Sequence, residues 1–248
     1  MALSRTMLGF DRKVRLRWLD LTAEGILLGD DLPALRARLR RVLSSEIADT
    51  GTHGAMGKTL TVLLRVWANP SPTQRAFREE ALRLYQELPS DQTLWLHWGM
   101  VLATHPFMYE LATHTGRLLA LQDDVSLGEV RLRLIERWGD RSTLDRAVHR
   151  AMANLVEWRA LLATGTTSVY GPSARRRAPS EAVQVWMIEA LLRAAGTPCM
   201  SLRQVETSPA LFPFDVRLVV SEMRKSPRIE LTRQGADTDM VALRHVAV

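Results

Sequence analysis

The chain has 248 residues, 46% of them hydrophobic and 24% charged, with 33 Lys+Arg against 27 Asp+Glu and a pI near 10.2. That length suits one large domain or two to three small ones with packed cores, and the basic balance favours a polyanionic partner without identifying it. A single cysteine, Cys199, excludes an internal disulfide and a thiolate metal cluster, and fits a reducing cytoplasm.

Arginine supplies nearly all the positive charge, the lysines being Lys13, Lys58 and Lys225. The planar guanidinium suits phosphate and guanine contacts; a GC-rich genome explains the same bias. The opening Met1-Ala-Leu-Ser-Arg5 lacks the apolar core of a signal peptide. No apolar run approaches the roughly 18 residues that span a bilayer. A soluble, cytoplasmic protein with no membrane partner is expected.

Residues 1–122 read as an all-helical N-terminal domain. From Asp11 to Ile47 the pattern is two helices around Leu28-Gly-Asp-Asp31. Leu35, Leu39, Val42, Leu43 and Ile47 stripe the second, and Pro33 fits its first turn. Arg12, Lys13, Arg15 and Arg17, like Arg36, Arg38, Arg40 and Arg41, form either a solvated face or a phosphate-contacting arm.

Gly51-Thr-His-Gly-Ala-Met-Gly57-Lys58-Thr59 imitates a phosphate loop but misses its spacing, because Thr52 stands where the first glycine is required. It reads instead as a link into a helix from Thr59 to Ala68. Ser71 with Gln74 starts the next helix, carrying Phe77, Ala81, Leu84 and Tyr85 inward. A Trp-rich helix follows over residues 91–104, and His105-Pro106 separates it from another reaching about Leu121.

His97, His105 and His114 are eight and nine residues apart, which does not match the spacing of a metal-binding pair on a helix. No metal or cofactor is expected. The tryptophans recur at apolar stripe positions and read as core anchors.

Residues 123–172 read as a first winged helix-turn-helix-like unit. Ser126 with Glu129, and Ser142 with Asp145, carry the spacing of capping boxes around the break Gly139-Asp-Arg141. Leu144, Ala147, Val148, Ala151, Leu155 and Trp158 share one face. Thr143, Arg146 and Arg150 point the other way. A hairpin-like tail from Leu161 to Tyr170 completes the order of helices and wing.

Residues 173–179, with Arg175, Arg176 and Arg177 between prolines, read as a basic linker, solvated or lying along a DNA backbone. Residues 180–248 then repeat the pattern as a second winged helix-like unit. Ser180 starts a helix to Ala195, Ser201 with Gln204 caps a short one, and a third packs Val216, Val219, Val220 and Met223. Arg217, Arg224 and Lys225 face outward on the third. Strands Arg228–Arg233 and Asp239–Leu243 close a hairpin around Gln234-Gly-Ala-Asp237.

The expected class is therefore mainly α, a helical N-terminal domain followed by two winged helix-turn-helix-like units with small β-hairpin wings. No catalytic constellation emerges; acidic pairs such as Asp123-Asp124 sit at helix ends, and no serine has a strand–turn–helix setting. A protein without enzymatic activity is expected.

The helical front ending in Trp95-Leu-His-Trp-Gly-Met100, then His105-Pro-Phe107, then two small winged units, resembles the BrxA-type proteins. These are small helical DNA-binding components of bacterial BREX phage-defence islands. The resemblance is one of layout over about two-thirds of the chain and carries over no site residue. It implies non-enzymatic binding of double-stranded DNA, with other subunits of a defence complex as further partners.

Two functions follow as expectations. One is a duplex-binding module contacting phosphates through Arg141, Arg146, Arg150 and the linker arginines, and bases through Thr143 and Arg146. The other is a structural adaptor whose winged helices bind protein.

Overall fold

The computed structural model describes residues 8–48, 51–52, 54–234 and 238–244. Its front half runs α1 (Leu16–Leu27), α2 (Leu32–Leu43), α3 (Ala55–Trp67), α4 (Arg75–Glu87), α5 (Leu94–Thr104) and α6 (Pro106–Leu119). The back half runs β1 (Val125–Ser126), α7 (Leu127–Trp138), α8 (Ser142–Glu157), β2 (Leu161–Ala163), β3 (Val169–Pro172) and β4 (Arg176–Arg177). It continues with α9 (Glu181–Ala195), β5 (Cys199–Ser201), α10 (Leu202–Glu206), β6 (Phe214–Asp215), α11 (Val220–Lys225), β7 (Ile229–Gln234) and β8 (Thr238–Leu243). The mainly helical class holds, with small sheets.

The core is built around α5. Its sequence, LWLHWGMVLAT, is apolar on every side, and every one of its residues is buried. A helix without a polar face must be enclosed by others, and α1, α3, α4, α6 and α9 supply the enclosure. Gly99 lets α9 approach closely: a Cβ there would lie 2.4 Å from the Trp186 ring. That ring stacks on Phe77 at 4.8 Å between centroids. The helix starts at Leu94, three residues later than the pattern predicts, because Pro89 to Gln92 form a turn closed by Gln92 N–H to the Pro89 carbonyl at 2.9 Å.

The tryptophans are buried, as their stripe positions predict, and the indole N–H groups of several also join distant segments. Trp98 donates to the Ala210 carbonyl at 3.0 Å, Trp186 to Phe77 at 3.0 Å, and Trp158 to Val14 at 2.8 Å. Trp67 donates to His97 Nδ1 at 3.1 Å. An indole can only donate, so the His97 proton sits on Nε2, which meets Asp20 Oδ1 at 2.8 Å. Burial pushes the Asp20 carboxyl upward, but hydrogen bonds from His97, Tyr85 and Thr93 outweigh it and hold it below the ordinary range.

His105 is enclosed, 1% exposed, edge-on to Phe10 at 5.0 Å. Burial, aided by the charge of Arg65, pushes its pKa down to about 3. The imidazole therefore stays neutral in the fold where the unfolded chain binds a proton, and stability falls as pH drops below the unfolded value near 6.5. Between pH 6.5 and 5 this group alone should cost roughly 2 kcal/mol, given about 1.4 kcal/mol per unit. Urea titrations at the two pH values should show a smaller pH-dependent loss in His105→Gln than in the parent; an identical loss would refute the assignment.

The back half repeats one topology. The run α6–β1–α7–α8–β2–β3 places a helix, a strand, two helices and two strands in order, and the run α9–β5–α10–α11–β7–β8 follows it with β6 inserted between its two helices. In each antiparallel sheet the first strand pairs with the last, giving β1-β3-β2 and β5-β8-β7. Val125 opposes Tyr170 in one, and Cys199 opposes Ala242 in the other. Capping boxes stand where the first strand turns into a helix: Ser126 N–H donates to Glu129 at 2.8 Å, and Ser201 N–H to Gln204 at 2.8 Å.

Several local expectations shift. Ser142 is the first helical residue rather than the cap of α8, whose cap is Arg141; the Asp145 carboxylate is taken by Arg131 of α7. The linker at 173–179 contains β4, paired in parallel with β6. The third helix of the second unit shrinks to α11, six residues long. Upstream of it, Phe212 and Phe214 are drawn against Trp98, both at 5.6 Å, and the Arg217 N–H is captured by Gln184 at 2.7 Å. Those contacts hold the chain extended where its apolar spacing suits a helix. The C-terminal strands match the alternation, while residues 235–237 of the expected turn lie outside the described residues.

Candidate nucleic-acid interface

On α8 the apolar stripe faces inward: Leu144, Ala147, Val148, Ala151 and Leu155 are all fully buried. Thr143, Arg146 and Arg150 are exposed on the opposite side, as the spacing predicts, and His149 is exposed with them. The turn into α8 uses Gly139 at φ +76°, a conformation other residues rarely adopt.

Two acidic groups border this face, and one arginine engages both. Arg131 donates from Nη2 to Asp140 at 2.7 Å and from Nε to Asp145. Arg146 and Arg150 have no salt bridge among the described residues.

The helix is also tied to the segment preceding α1. Asn154, buried on α8, accepts the Val14 N–H at 3.0 Å and donates to the Arg12 carbonyl at 2.8 Å. Glu157 accepts the Leu16 N–H at 3.0 Å, serving the first turn of α1. These bonds set Arg12 beside the outer face of α8. Lys58, in the first turns of α3, completes a groove of about 720 Å³ lined by Asp11, Arg12, Lys58, Thr143, Asp145, Arg146, His149 and Arg150. A recess of about 420 Å³ adjoins it, lined by Leu8, Gly9, Thr61 and Val62, with Arg141 and Thr143 at its edge.

The remaining arginines and lysine named from the sequence lie elsewhere. Arg175 and Arg177 are exposed, but Arg176 is half-buried and donates to the carbonyls of Trp158 at 3.5 Å and Arg159 at 2.9 Å. Burial, with the nearby charge of Arg159, holds its guanidinium below the ordinary range. The 16 residues of α8 extend about 24 Å, so Arg176 is anchored at the far end from Arg141. In the second unit Arg217 pairs with Asp215 at 3.1 Å and Lys225 with Glu222 at 2.5 Å, while Arg224 is exposed.

Arg141, Thr143, Arg146 and Arg150 thus converge, and the others do not join them. Sequence reasoning places Lys58 inside a link and Arg12 in a generic basic cluster. Nothing in local spacing relates either to α8; the long-range bonds of Asn154 and Trp158 bring Arg12 there, and Lys58 lines the same groove from α3. Lys13, Arg15 and Arg17 instead converge on Glu46, Arg15 at 2.5 Å. Among the described residues no cluster of His, Cys, Asp and Glu could hold a metal ion, and no helix is long and apolar enough to cross a membrane. Comparison with protein-family models, with curated proteins and with solved structures finds no match.

Proposed function

We propose that this chain binds double-stranded DNA without enzymatic activity, through two winged helix-turn-helix units of which the first carries the contact. The observation that carries the reading is the exposed cationic face of α8. Arg146 and Arg150 stand there without salt bridges among the described residues, in a groove shared with Arg12 and Lys58. Clustered cations flanked by low-dielectric walls attract a polyanion more strongly than dispersed charges do. The repeated strand order, with the first strand beside the last, supports the winged-helix reading, in which the second helix of the pair reads the duplex. In the first unit that helix is α8.

The layout resemblance to BrxA-type proteins suggests the setting, a bacterial phage-defence complex. The protein-binding alternative is favoured for the second unit by its short helices. There α10 has five residues and α11 six, and two of its three outward cations are already paired with carboxylates.

Fluorescence anisotropy with a labelled duplex over a salt series tests the reading. If about six phosphates are neutralised, affinity should fall roughly a thousandfold between about 50 and 200 mM salt. Binding that is absent, or insensitive to salt, would overturn it in favour of the adaptor.

A further inference from the structure

Resting on that DNA-binding reading, we propose that the furrow between α3 and α8 grips one sugar–phosphate strand of the duplex from both walls, with Lys58 as a phosphate contact opposite Arg146 and Arg150. Lys58 is exposed in the first turns of α3, and the arginines are exposed on α8, facing a shared groove of about 720 Å³. None of the three has a salt bridge among the described residues.

The groove's own carboxylates do not serve them. Asp11 is paired with Arg12 at 3.5 Å, and Asp145 with Arg131. Three cations thus line the groove without a salt bridge of their own among the described residues, and their mutual repulsion is relieved when an anion enters. The anion is an extended one, because the charges are distributed along a furrow rather than gathered about one point. Lys58 lies across the furrow, and Arg146 and Arg150 lie a turn apart along α8.

The α8 wall is held before any ligand arrives. Asn154 and Trp158 fasten α8 to the segment carrying Arg12, which limits the ordering required on binding. A lysine ammonium acts as a point charge, which suits a phosphate oxygen better than the edge of a base. The contact therefore adds affinity and register without reading sequence.

Lys58→Ala, Arg146→Ala, the double variant and Lys58→Arg, measured in the full chain by anisotropy with a fluorescent duplex across a salt series, test this. The alanine at Lys58 should weaken binding several-fold for every duplex sequence and lower the salt slope by about 1. Lys58→Arg should restore the slope. If both walls hold the same strand, the double variant should lose less than the product of the single losses. Unchanged affinity and slope in Lys58→Ala, alongside weakened Arg146→Ala, would overturn the two-walled grip and leave the DNA reading standing. A parent protein that binds no duplex would overturn both.

Discussion

Replacing Arg146 and Arg150 together by alanine should lower duplex affinity about a hundredfold at moderate salt, at roughly 1–3 kcal/mol per specific arginine contact. The salt slope should fall by about 2, one unit for each phosphate no longer neutralised. Stability should barely change, because neither side chain contributes to the core and neither has a salt bridge among the described residues. The two are four residues apart on one helix, where like charges repel by a few tenths of a kcal/mol, so their removal should leave the melting temperature unchanged or slightly higher. Weaker binding at constant stability is the signature of a binding surface. A double variant that binds duplex as the parent does would remove α8 from the interface.

The largest effect on stability should come from Glu189. Its side chain is 2% exposed and joins two arginines: Arg193 donates from Nη2 at 2.8 Å, and Arg228 from Nε at 2.7 Å. Arg193 also donates to the Thr73 carbonyl at 3.0 Å and lies over the Phe77 ring, while Arg228 reaches the Ala76 carbonyl at 3.1 Å. One carboxylate on α9 thus holds together the start of α4 and the entry to β7. Glu189→Ala leaves two guanidiniums, each about one-fifth exposed, without this partner. Breaking a buried pair this way costs about 3–5 kcal/mol. Urea unfolding should show a lower midpoint at unchanged slope, and Glu189→Gln, which keeps an acceptor oxygen, should recover part of that stability. A decrease below about 1 kcal/mol would mean that solvent replaces the carboxylate.

Much of this fold could be read from short-range pattern. The stripe of α8 and its outward Thr143, Arg146 and Arg150 follow from a period of 3.6 residues, and the capping boxes at Ser126 and Ser201 from three-residue spacing. The β7–β8 pair follows from alternation. These features depend on neighbours within one turn or one strand repeat, so the order of residues suffices to specify them.

Where the pattern misleads, a long-range contact outweighs a local preference. The apolar spacing at 216–223 suits a helix, yet Phe212 and Phe214 bury against Trp98, and Gln184 takes the Arg217 N–H, so the helix begins at Val220. Asp145 has the position of a capping carboxylate, yet Arg131 claims it. The triple arginine reads as uniform, but the carbonyls at the end of α8 engage Arg176 and leave Arg175 and Arg177 in solvent.

Composition and periodicity were enough to establish a helical protein with a basic character and an arginine face on α8. Which cations share a groove was settled by packing. Lys58 and Arg146 are 88 positions apart yet line one groove, and Arg12 joins them because Asn154 and Trp158 bond across 140 and 144 positions to the segment before α1. A hydrogen bond spanning that distance leaves no periodic trace along the chain, since its donor and acceptor become neighbours only after the core has closed around α5.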